Sequence, residues 1–149
     1  MDFQNAFKTL DLIRLLASVR GKHRGRRRLL VMELSDNLDL LNLVHQGQVG
    51  VDQAIPELKD AVYQKLLEES FSFNTLSRRK IAAANARHVA QLRRYQGWPT
   101  ERLVDNIYRK IRQLKTLKKL KLCDPAVNYK QRLENLRRLL VLLMVHLNR

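Results

Sequence analysis

The chain has 149 residues, 45% hydrophobic and 29% charged, and its 29 Lys and Arg against 14 Asp and Glu give a net charge of +15. That size and apolar content allow one domain with its own core, and with only five glycines and three prolines they exclude a disordered or fibrous chain. A single cysteine, Cys123, excludes a disulfide-stapled scaffold and fits a reducing compartment, so the cytoplasm is the expected location.

Near the N-terminus Phe3, Phe7, Leu10, Ile13 and Ala17 recur at steps of three and four, with Leu12, Leu15, Leu16 and Val19 widening the apolar arc into a largely buried first helix. The opening Met-Asp-Phe-Gln-Asn has neither the basic stretch nor the cleavage site of a signal peptide, and Asp2 and Asp11 argue against a transit peptide. Gly21 and Gly25 bracket a basic block of Arg20, Lys22, Arg24, Arg26, Arg27 and Arg28, which reads as a hinge or loop over 20–28. A second helix is expected from about Arg26 to Gln46. On it Leu30, Leu34, Asn37, Leu41 and Val44 follow the spacing of a coiled-coil seam with one amide inside. Asn37 either fixes the register of a subunit interface or bonds a nearby backbone carbonyl.

After a turn at Gly47–Gly50, Asp52 and Pro56 start a third helix that runs to about Glu69 with Leu58, Val62, Tyr63 and Leu66 on its apolar face. Residues 70–77 alternate polar and apolar, but a lone strand has no partner, so this is an ordered corner whose Phe71 and Phe73 plug the end of a bundle. A fourth helix is expected over Ser77–Tyr95, opening on Arg78, Arg79 and Lys80. Bases there oppose the helix dipole, which favours a binding role for them.

Gly97 ends that helix, the loop 96–100 follows, and a fifth helix carries Leu103, Ile107, Ile111, Leu114 and Leu117 on one side. Its other faces hold Arg102, Arg109, Lys110, Arg112, Lys115, Lys118, Lys119 and Lys121. Asp124-Pro125 reads as the cap of the last helix, where Tyr129, Leu133, Leu136, Leu140, Leu143 and Leu147 alternate at four and three and Arg132, Arg137 and Arg138 lie outside. From Leu139 onward every face is apolar. This end is therefore the centre of the bundle or a subunit contact, with Leu139, Leu142 and Val145 as interface candidates. The run Leu139–Leu147 covers only about half of a bilayer core, so no membrane span is expected. The fold class is all-α, a single compact antiparallel bundle of about five to six helices over 1–149.

Charge is divided unevenly along the chain. Residues 1–75 hold ten bases and ten acids, whereas 76–149 hold 19 bases and four acids and so carry the whole excess. An external polyanion is the expected counter-charge, nucleic acid first and an anionic membrane surface second.

Catalytic patterns are missing. His23, His45, His88 and His146 have no second ligand at helical metal-pair spacing, and no phosphate-cradling glycine motif occurs, so neither metal nor cofactor is expected. HEPN-type ribonucleases have four to six residues between an arginine and the histidine that follows it, but Arg138 and His146 have seven between them. Glu33, Asp36 and Asp39 form an acidic stripe that reads as ion pairing, and Cys123, near Lys119 and Lys121, has no histidine to activate it.

The expected function is non-enzymatic binding of RNA or DNA through the phosphate backbone, with little sequence preference, inside an oligomer or larger complex. Phosphate contacts are expected from the 20–28 block, from Arg78, Arg79 and Lys80, and from Arg109, Arg112, Lys115 and Lys119. Tyr95, Trp98 and Tyr108 are the stacking candidates, Trp98 reading more as a core anchor. The alternatives are a protein-interaction subunit docking through its C-terminal helix and a binder of anionic membrane surfaces. In size, helical content and charge the chain is similar to the small subunits of multi-subunit CRISPR effector complexes and to the basic bundle proteins of diversity-generating retroelements. No matched motif carries that likeness, which implies an accessory role only.

Overall fold

Helix α1 (Arg24–His45) buries Leu30, Val31, Leu34, Leu38 and Leu41 along one side. The computed structural model describes residues 24–86, 90–120 and 127–149, and the first expected helix, Arg20, Gly21, Lys22, His23, His88, Val89, Lys121, Cys123 and the Asp124-Pro125 cap lie outside them. The expected hinge over 20–28 is corrected from Arg24 onward, because Arg24, Arg26, Arg27 and Arg28 sit on the first turns of α1. One glycine costs a helix interior about 1 kcal/mol, too little for Gly25 to stop a helix with so much apolar surface to bury. Gly47, at φ +75°, ends α1 with its N–H on the Val44 carbonyl (3.0 Å) while Gln48 N–H reaches Leu43 (2.9 Å).

The expected third helix is two helices, α2 (Val51–Glu57) and α3 (Ala61–Glu68). Pro56 has no N–H to return to Asp52, and α2 stops one residue later. Polar side chains of α1 complete the break. The Asn37 amide donates to the Lys59 carbonyl (2.8 Å) and accepts from the Lys59 N–H (2.7 Å), so it is used within the chain and the expected interface role is corrected. Glu33, 5% exposed, accepts from Val62 N–H (2.7 Å) and Tyr63 N–H (3.1 Å) at the start of α3.

The corner after α3 stands where expected, with Phe71 and Phe73 both buried and Phe73 on a 3₁₀ turn (Phe73–Thr75). Phe73 stacks on Tyr63 at 5.2 Å, and Tyr63 on Tyr108 at 4.1 Å. Ser70 closes α3 at φ +54°, the left-handed conformation in which a side chain is strained. Ser70→Gly should therefore stabilise the protein by about 0.5–1 kcal/mol in urea unfolding. A loss of stability would show that the serine side chain holds the corner.

No α-helix forms over 77–86 or 90–95, which corrects the expected fourth helix and with it the dipole argument for Arg78, Arg79 and Lys80. Lys80 forms an isolated bridge with Pro99, Ile81 N–H donates to the Trp98 carbonyl and Gly97 N–H to the Ile81 carbonyl (2.9 Å each), and 3₁₀ turns cover Ala83–Ala86 and Ala90–Tyr95. Burying Ile81 beside this bridged segment overrides the helical propensity of the alanines.

Helices α4 (Thr100–Lys119) and α5 (Tyr129–Leu147) pack on each other, and α5 also packs on α1. Asn128 caps α5, its side chain accepting from Gln131 N–H at 2.9 Å. Leu139 and Leu142 are buried inside the chain, Val145 is half-buried, and no residue of 139–147 is exposed. The apolar end is thus the centre of this mostly helical, compact fold, and the expectation that Leu139 and Leu142 face another subunit is corrected. Among the described residues no helix is long and apolar enough to cross a membrane.

Candidate anion-binding surface

The bases of α4 divide by what they touch. Lys115 donates to the Leu58 carbonyl (2.8 Å) and pairs with Asp60 (3.1 Å), and Lys118 pairs with Asp52. Both bases therefore tie α4 to the α2–α3 region, and Lys115, expected as a phosphate contact, has its ammonium engaged by these partners. Arg109, Arg112 and Lys119 are exposed on the opposite side from Leu103, Ile107, Ile111 and Leu114.

Around Lys110 the fold gathers charges that the sequence keeps apart. The Lys110 ammonium is held below the usual lysine range, first by burial and then by the nearby Arg94, Arg109 and Arg132. Arg94 donates to the Tyr95 hydroxyl (2.8 Å), and Arg109 to the Asn106 side-chain carbonyl (2.8 Å), which fixes both guanidinium groups in place. Arg132 stands in the first turn of α5, where a cation opposes the helix dipole. Among the described residues none of these four cations makes an ion pair within 4.0 Å.

Open grooves lie on either side of this cluster. One, of about 780 Å³, is lined by Arg109, Arg112, Arg132, Gln113 and Tyr63, with Asp105 tied to the Tyr63 hydroxyl at 2.8 Å. The other, of about 590 Å³, is lined by Arg94, Lys110, Arg138, Gln91 and Asn135. Together they present guanidinium and ammonium groups from three separate stretches of chain to one strip of surface. Such a strip attracts an extended polyanion more than a single small anion.

The remaining predicted bases sit elsewhere. Arg26 pairs with Glu69 at 3.0 Å, Arg27 is half-buried, and Arg24 and Arg28 are exposed. Arg79 donates to the Arg149 carbonyl at 2.9 Å between the exposed Arg78 and Lys80. These contacts set both groups at the end of the molecule where α3 and α5 finish, whereas Arg132 lies where α5 begins. Arg94, Lys110 and Arg132 were absent from the expected site, and the signal for Arg132 was its place in an unacidified first turn.

None of the expected stacking residues offers a free face. Tyr108 and Tyr95 are buried, and Trp98 packs edge-on to Tyr95 (4.9 Å) beneath the Arg102 guanidinium (4.0 Å). Of the acidic stripe, Asp36 pairs with Lys59 at 2.9 Å, and burial followed by the Asp36 charge raises the Asp39 carboxyl. His45 bonds Glu134 (3.0 Å), while His146 is buried against Thr100 (2.8 Å) and burial lowers its pKa. Among the described residues no three His, Cys, Asp or Glu side chains are grouped to hold a metal.

The chain matches no family model, no curated protein and no solved structure.

Proposed function

We propose that the protein binds nucleic acid through the phosphate backbone, without catalysis, as a subunit or accessory factor of a larger assembly. The observation that carries this reading is the cluster of Arg94, Arg109, Lys110 and Arg132, four cations that line two grooves and have no acid paired to them among the described residues; burial first, and then the three neighbouring guanidinium groups, lower the Lys110 pKa. Crowded cations destabilise a fold, and phosphates that bridge them recover that energy on binding. The scaffold of this reading is a single antiparallel bundle, supported by the pairs Arg26–Glu69 and Asn37–Lys59 between α1 and the α2–α3 segment, and His45–Glu134 and Thr100–His146 at opposite ends of α5. The assembly part is supported by Leu29 and Met32, which are 52% and 44% exposed side by side on α1.

Anisotropy titration of a labelled oligonucleotide at moderate salt tests this directly. Lys110→Glu with Arg132→Glu should weaken binding by tenfold or more, since hydrogen bonds to charged groups contribute roughly 1.5–3 kcal/mol each. Lys115→Gln should leave affinity unchanged while lowering stability. Equal affinity of the double variant and the wild type refutes the site. Sedimentation of the wild type as a monomer at every concentration, with and without the oligonucleotide, removes the assembly part.

A further inference from the structure

Beside the cation strip lies a cavity of about 510 Å³, walled on one side by Leu92, Val141, Leu142 and Val145. Asn85 lines it at 8% exposure, and among the described residues neither its amide nitrogen nor its carbonyl oxygen has a hydrogen-bond partner. The contrast is with Asn37, equally an amide in the core, whose donor and acceptor are both satisfied by Lys59. A buried amide left unpaired on both sides destabilises the fold, and a ligand presenting an acceptor next to a donor recovers that loss.

Resting on the phosphate-binding reading above, we propose that this cavity takes one unstacked base of a single-stranded nucleic acid, and that Asn85 reads its edge. Ala90, Gln91, Leu92 and Arg138 border both the cavity and the groove of Arg94 and Lys110, so a strand held by its phosphates in the groove has a base beside the cavity. Arg138 donates to the Gln91 side-chain carbonyl at 2.9 Å, which makes the shared wall polar. Glu134 also borders the cavity, but its carboxylate is engaged by Arg137 (2.9 Å), Arg138 (3.1 Å) and His45 (3.0 Å) and presents no free anion to the strand. Aliphatic side chains cover the faces of the base, and the amide meets the donor and acceptor pair of adenine N6 and N7. Both amide atoms are shielded from water, so binding a base requires the 83–86 turn to shift outward for the base to reach them.

The test compares labelled oligoadenylate, oligouridylate and an abasic sugar-phosphate oligomer of equal length. Wild type should bind oligoadenylate about tenfold tighter than the abasic oligomer, with oligouridylate between them. Asn85→Leu, which removes the unpaired amide and keeps the wall apolar, should lose that tenfold while its affinity for the abasic oligomer and its salt dependence stay unchanged. Val145→Phe fills the cavity from the opposite wall and should give the same pattern, so the result does not depend on one variant folding. Equal binding of all three oligomers by wild type, or undiminished oligoadenylate affinity in a folded variant, overturns the base pocket and leaves the phosphate reading standing. Failure of wild type to bind any of them at low salt overturns both.

Discussion

Glu33→Ala is expected to cost the protein roughly 3 kcal/mol in urea unfolding, a large share of the 5–15 kcal/mol that holds a domain of this kind together. Glu33 is 5% exposed and accepts from two consecutive N–H groups, those of Val62 and Tyr63, at the first turn of α3. Those donors have no carbonyl behind them in their own helix, so truncation leaves the buried Tyr63 N–H and the half-buried Val62 N–H without a partner. The carboxylate also complements the positive end of the α3 dipole. Together with burial, its charge pushes the Tyr108 phenol well above the usual tyrosine range. Glu33→Gln keeps one acceptor oxygen and should recover about half of the loss. A change below about 1 kcal/mol for Glu33→Ala would show that water replaces the carboxylate and that the α1–α3 junction is not held from this point.

The second large effect is a loss of stability in acid that traces to one carboxyl group. Burial alone would raise the Glu134 pKa, but hydrogen bonds and charge from Arg137, followed by His45, outweigh it and hold the group at about 2 against 4.5 in the unfolded chain. Because the folded value is the lower one, the stabilisation is complete above pH 4.5 and disappears as pH falls toward 2. With its side chain 20% exposed, the group is expected to contribute about 2–3 kcal/mol. Urea midpoints taken from neutral pH down through this window should show wild type losing its advantage over Glu134→Gln. Parallel acid profiles for the two proteins would show that Arg137 and His45 do not hold the carboxylate.

Much of the fold was legible because apolar spacing reports which side of a helix is buried. Leu30, Leu34 and Leu41 on α1, Leu103, Ile107 and Ile111 on α4, and Leu133, Leu136 and Leu140 on α5 occupy the core as their periods require. Where the reading failed, the deciding contact was distant in sequence. Asn37 and Glu33 stabilise a chain break at Lys59 and Val62 that local pattern reads as continuous helix, and Ile81 pairs with Trp98 where alanines favour a helix.

The site was legible only in kind. Excess positive charge from residue 76 onward led to the expectation of an anion partner but not to which bases stay unpaired, because Lys115 and Lys110 are chemically alike and differ in what the fold sets beside them, Asp60 and the Leu58 carbonyl in the case of Lys115. The dipole argument was applied where no α-helix begins. Arg78–Lys80 precede no α-helix, whereas Arg132 stands in a true first turn without an acid. Asn85 carried no signal, since unlike Asn37 it lies on no apolar period and its lack of a partner among the described residues appears only in the fold.

The central claim is that Arg94, Arg109, Lys110 and Arg132 together hold phosphates, and the dependence of affinity on salt measures it most directly. Each phosphate neutralised on a single strand contributes about 0.7 to the slope of log K against log salt concentration. Four contacts predict a wild-type slope near roughly −3, and Lys110→Glu with Arg132→Glu should make it shallower by about 1.4. A double variant whose slope equals that of the wild type would contradict the account, because phosphates would then be bound somewhere other than the surface where α4 meets the start of α5.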